Sequence, residues 1–162
     1  MNPFIELRPG EPPFQMKLDP DDFITFKGET MTACPVDFDV NVTNTTKVRQ
    51  ACKVKCTSNA IFRAWPPHSF IQPGETLPIK LSLICSTIPD PSKHFFAFVH
   101  VAAPETEEKK TPKGFWTPNT KHDGSSALLF NCSSQMVCHG LLILNRKQLW
   151  PSQLLSRSRL YL

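Results

Sequence analysis

The stretch QACKVKCTSNAIFRAWPPHSFIQPGETLPIKLSLIC, residues 50–85, decides how this chain folds. From Cys52 to Cys56 alternate residues face opposite ways, with Cys52, Val54 and Cys56 on one side and Lys53 and Lys55 on the other. Such a period of two, apolar against charged, marks a strand with one buried and one wet face. A crossing rich in breakers follows, carrying Pro66-Pro67 and then Pro73-Gly74. Pro-Gly suits the two central positions of a type II turn, since proline fixes φ at about −65° and glycine accepts a positive φ. A second alternating strand sets Leu77, Ile79, Leu81 and Leu83 against Lys80 and Ser82. Two half-buried strands joined over a prolyl corner predict a sandwich of antiparallel sheets.

Working outward, the same period recurs. Phe14, Met16 and Leu18 share one face of a first strand, and Phe23 to Lys27 forms a short second one after the Asp19-Pro20 turn. Val36, Phe38, Val40 and Val42 alternate with Asp37, Asp39, Asn41 and Thr43, the cleanest half-buried strand in the chain. Asp37 and Asp39 read as its solvated face. Residues 94–103, HFFAFVHVAA, are apolar on both parities, which predicts a central strand covered on both sides or one with an apolar surface that something else covers. Its His100 falls by parity with Phe96 and Phe98, as an interior histidine. Residues 104–125 are polar and proline-bearing, a long loop in which Phe115-Trp116 is expected to be pinned against the sandwich. Residues 127–132, ALLFNC, supply the last strand.

These readings divide the chain into an N-terminal arm (1–13, with four prolines), a β domain (14–132) and a C-terminal tail (133–162). The tail's apolar run, Leu141 to Leu144, is far short of the roughly 20 residues that cross a membrane. An amphipathic helix at 147–160 and a disordered tail both fit its composition.

With 162 residues, 40% of them hydrophobic, and 12 Phe, the chain has enough material for one sandwich core. The net charge of +4 is mild, compatible with an acidic peptide or an anionic lipid surface and too diffuse to imply nucleic acid, for which no aromatic-basic motif appears. The first residues show neither a basic nor an apolar signal region, so the six cysteines are expected reduced in the cytoplasm. Asn41, Asn44 and Asn131 stand in glycosylation sequons, which are silent there.

The ordered series of motifs resembles the major sperm protein (MSP) domain, above all that of VAMP-associated proteins. The matching pieces are LDP at 18–20, TFKG at 25–28, VNVTNTT at 40–46, Lys53-Val54-Lys55 followed by Cys56-Thr57, the aromatic Phe62, Pro73-Gly74 with Thr76, and SKHFFAFVHVAAP at 92–104. They span roughly residues 14 to 117. The resemblance implies an all-β fold, an immunoglobulin-like seven-stranded antiparallel β-sandwich of the MSP/PapD-like kind. It also implies a non-enzymatic interaction module that uses no cofactor.

Nothing in the residues argues for catalysis. There is no phosphate loop, dinucleotide fingerprint, nucleophile elbow or zinc-protease motif. Cys52 and Cys56 lie on one face of a strand, four residues and so about 13 Å apart, too wide for one zinc; they read as core. The five histidines are scattered, and none pairs with a Ser or Cys nucleophile.

In the family that the chain resembles, lysines at the positions of Lys53 and Lys55 take acidic peptides carrying two phenylalanines. The same resemblance puts Thr57, Phe95 and Ala97 at the peptide-binding face. Phe95 and Ala97 replace a lysine and a methionine of peptide-binding members, and two arginines are absent near Ala60 and Ile61. If the parity holds, Phe95, Ala97, Val99 and Val101 share the outer face with Lys53 and Lys55, making a less basic and more apolar groove. The partners implied are acidic or Phe-containing peptides, bound weakly, a more hydrophobic partner, or a second copy in a homodimer. A self-assembling sperm cytoskeletal protein and a structural domain without a binding role are the competing readings.

Overall fold

Alternation in the sequence becomes two facing sheets. The computed structural model describes residues 11–29, 31–105 and 111–133; the N-terminal arm up to residue 10 and the tail from residue 134, with the helix considered at 147–160, lie outside them. The strands are β1 (Lys17–Asp19), β2 (Phe23–Lys27), β3 (Val36–Thr43), β4 (Gln50–Cys56), β5 (Phe62–Trp65), β6 (His68–Ile71), β7 (Thr76–Leu83), β8 (Phe95–Ala102) and β9 (Gly124–Ser133). One sheet has the order β1-β3-β7-β5 and the other β2-β9-β8-β4-β6.

Nine strands stand among the described residues where seven were expected. The two extra ones come from the crossing after Cys56. β5 pairs with β7 in the four-stranded sheet, and β6 pairs with β4 in the five-stranded one. Pro66-Pro67 is thus the point where the chain changes sheets, and each flank is only four residues long, too short to show a period.

Nor is the sandwich wholly antiparallel, since β2 and β9 run parallel with Phe23 opposite Leu129. A tight hairpin forces its two strands to be antiparallel, but almost the whole domain separates these two, so no such constraint applies. The Pro73-Gly74 turn is as expected: Gly74 has φ 77°, and Glu75 N–H donates to Gln72 O at 3.0 Å. Pro78 sits in β7 opposite Asn41, beyond the stretch Lys80–Leu83 that β5 pairs, where no ladder needs its missing N–H.

The inner faces meet in a core built on aromatic rings. Phe62 lies edge-on to Phe96 at 4.9 Å and to Phe130 at 5.1 Å between centroids, and Phe26 to Phe130 at 5.9 Å. Such edge-to-face pairs add about 0.5–1.5 kcal/mol each beyond their buried area. Ile79, Leu81, Leu83 and Val40 fill the facing sheet. Cys52 and Cys56 belong to this core, and burial pushes the Cys52 thiol up to about 12. β8 is central and buried on both faces, as its doubly apolar sequence predicts.

Candidate functional site

Because Cys52, Val54 and Cys56 point into the core, Lys53 and Lys55 must emerge on the outer face of the five-stranded sheet. The register then decides their neighbours. Lys53 stands opposite Val99 on one side and His68 on the other, and Lys55 stands opposite Ala97. Ala97 in turn faces Ala127 on β9, and Phe95 faces Leu129. Phe96, Phe98, Leu128 and Phe130 take the inner face, so Phe95, Ala97, Ala127 and Leu129 lie on the outer one. The two alanines make a small-residue floor bordered by Lys55, Phe95 and Leu129. Ala97 is nearly covered by these longer neighbours.

Thr57 has a different position from the lysines. It is buried; its Oγ1 lies 3.0 Å from His94 Nδ1 and accepts the Phe95 N–H at 3.2 Å. Its backbone N–H donates to Phe95 O at 3.2 Å. Thr57 thereby fixes the entry of β8 and the placement of Phe95, with its hydroxyl already engaged.

The loop between β8 and β9 supplies what sequence reading did not assign to the site. After the 3-10 turn Lys113–Phe115, the Phe115 ring packs edge-on against Phe70 at 5.3 Å. Arg49 lies over that same Phe70 ring at 4.3 Å, and Lys53 Nζ lies 5.9 Å from the Trp116 ring centroid. The strap is tied by Thr120, whose hydroxyl donates to Phe115 O at 3.0 Å and accepts the Thr117 N–H at 2.9 Å. Phe115-Trp116 is therefore pinned to the sandwich, as expected, and its seat is the Lys53 half of the face. Only the doublet of aromatic rings in a polar loop signalled this; Lys113 and His68 carried no signal.

Electrostatically the face is one-signed. Burial, and then the Lys55 ammonium, lower the Lys53 pKa. Burial, then Lys53 and Lys113, lower that of His68. Among the described residues no carboxylate forms an ion pair with Lys53, Lys55 or Lys113. No cluster of three or more His, Cys, Asp or Glu able to hold a metal occurs among the described residues, and none of their helices is long and apolar enough to cross a membrane.

The model of the MSP (Major sperm protein) domain matches residues 15–121. The chain belongs to the MSP domain family. Two Caenorhabditis elegans proteins, "Uncharacterized protein ZC262.1" and "Uncharacterized protein R05D3.5", are each 33% identical to it over 92 residues, 56% of this chain. The matches cover 66% and 49% of those proteins, so the chain spans about two thirds and about half of the curated relatives it matches. Among solved structures, the C. elegans MSP family member WR4 superposes with a TM-score of 0.58 at 16% identity, over 73% of this chain and 97% of its own. SSP-19, an MSP-domain protein like family member from C. elegans, gives 0.57 at 14% identity, over 72% and 97%. The fold is thus an immunoglobulin-like all-β sandwich of the MSP type.

Proposed function

We propose that this domain is a non-enzymatic, cytoplasmic interaction module that takes short acidic, Phe-containing peptides on the outer face of its five-stranded sheet. The observation that carries this reading is the Lys55–Ala97–Ala127 row: an ammonium that no carboxylate among the described residues pairs, beside a floor of two alanines. An aromatic side chain fits such a floor, and an acidic flank complements Lys55, with Lys53 and Lys113 steering it from further off. Phe95 and Leu129 make the floor's border more apolar than a lysine would, so binding leans on hydrophobic contact. The five described cysteines are free thiols, Cys52, Cys56 and Cys85 packed as core, which suits a reducing compartment.

The test is calorimetric titration of the full chain with a synthetic acidic peptide containing two phenylalanines. Reversal of charge in K55E should weaken binding about tenfold or more. Wild-type affinity in K55E would overturn the site. Self-assembly is the second reading, favoured by one observation: Trp65 is 73% exposed on the edge strand β5. Light scattering that rises with concentration, and falls in W65A, would support it instead.

A further inference from the structure

Trp116 and Phe115 occupy half of the face to which a peptide is assigned, and they do so with mismatched chemistry. The strap brings aromatic rings to Phe70 and Lys53, which is what an aromatic anchor of a partner would do. It also brings Lys113, a like charge, within electrostatic reach of His68 beside Lys53. The described strap segment 111–122 holds no acid, and Asp123, at its far end, is engaged by the Ala102 N–H at 2.7 Å. Among the described residues the buried Trp116 Nε1–H has no hydrogen-bond partner. A donor that leaves water and gains no acceptor works against the seated state. The seat is therefore filled by the right shape and the wrong charge.

We infer that the Phe115-Trp116 strap is a built-in, displaceable occupant of the Lys53 half of this face, holding it closed until an acidic aromatic-bearing peptide takes its place. The inference rests on the peptide-binding reading of the same face. Lys55 and the alanine floor form the open half, where a partner lands first; displacement of Trp116 then releases Lys53. An acidic ligand wins the exchange because it supplies both the ring and the countercharge, and the described strap segment 111–122 supplies the ring without an acid. Affinity in the resting protein is reduced by the fraction of molecules with the strap seated.

The experiment compares the full chain with W116A and T120A in calorimetric titrations against the acidic two-phenylalanine peptide, thermal melts verifying that each variant folds. T120A leaves the face untouched and removes, with the γ-methyl, the hydroxyl that ties Thr117 to Phe115. W116A should bind about fivefold or more tighter, T120A should shift the same way, and K53E should weaken W116A more than wild type. If the wild type binds but W116A is equal or weaker, Trp116 is a fixed wall and the occupant is overturned, with the peptide site intact. If none of the three proteins binds, the peptide reading itself fails and the occupant falls with it.

Discussion

His100 accepts the backbone N–H of Gln15 at its Nε2, across 3.1 Å and 85 positions of sequence. The proton must then sit on Nδ1, which donates to Gln50 Oε1 at 3.0 Å. The ring is wholly buried, with Phe14 edge-on at 5.0 Å. A protonated ring would point a second N–H at the Gln15 N–H. Burial lowers the His100 pKa first; the Asp123 carboxylate opposes this, and His122 adds to the lowering. Unfolded histidine titrates at about 6.5. The folded value lies below it, so the unfolded chain binds more protons on the acid side. The stabilisation is complete above about pH 6.5 and is lost as pH falls through the folded value. Burial lowers the pKa of His94 and His68 too, with the same sign. Thermal melts should show a Tm that declines from about pH 7.5 to about pH 5.5, less steeply in H100Q. A flat wild-type profile would contradict this account.

The segment that His100 holds is also gripped by a glycine. A Cβ on Gly124 would press on Pro13 O, His100 Nε2 and the Phe14 backbone. Pro13 bridges Ser125, whose N–H donates to Pro12 O at 3.2 Å and whose hydroxyl donates to Glu11 at 3.0 Å. G124A should cost about 1–3 kcal/mol by overpacking, read as a lower denaturation midpoint, and should expose the Pro12–Phe14 segment to proteolysis. Unchanged stability would mean that the segment yields without cost.

Two residues of β5 should respond in opposite ways. Phe62 is at the centre of the aromatic core, and F62A should destabilise by about 3–5 kcal/mol in chemical denaturation. Trp65, three positions on, lies outside, and W65A should stay within about 0.5 kcal/mol of wild type. A large loss in W65A would reveal a role for the indole in the folded monomer.

Asn44 is fully buried, donating to Val48 O at 2.9 Å and Ile71 O at 2.8 Å and accepting from the Thr46 N–H at 2.9 Å. N44A removes the side-chain partner of Ile71 O and of the Thr46 N–H, while Val48 O keeps the Thr46 hydroxyl, and should cost about 2–4 kcal/mol, measured as a shift in urea midpoint. The same burial keeps its sequon closed to a glycosyltransferase in the folded domain, whereas Asn41 and Asn131 are exposed. A near-neutral N44A would show that water replaces the lost bonds.

What could be read beforehand follows from what periodicity encodes. Alternation at Val36–Thr43 and Cys52–Cys56 specifies which side of a strand is buried, and the doubly apolar Phe95–Val101 specifies a strand buried on both. Proline followed by glycine at 73–74 specifies a turn. Partnership is a different quantity: nothing in Phe23–Lys27 says that it lies parallel to β9, because pairing is chosen by the assembled sheet. Four-residue pieces such as His68–Ile71 are shorter than the pattern that would reveal them. The outer face was legible as far as local parity reaches, giving Lys53 and Lys55 beside Ala97 and Val99. The seating of Trp116 on Lys53 joins residues far apart in sequence, and no local pattern carries it.

The parallel pairing of β2 with β9 also bears on how the domain is made. Among the described residues β2 has no other strand beside it in its sheet, and its ladder partner lies roughly a hundred residues later. While the ribosome is still building the middle of the domain, the segment Phe23–Lys27 has nothing to pair with, and its Ile24 and Phe26 have only part of a core to enter. The sandwich closes only once β9 has emerged, and until then an apolar strand edge is open to chaperones and to neighbouring chains.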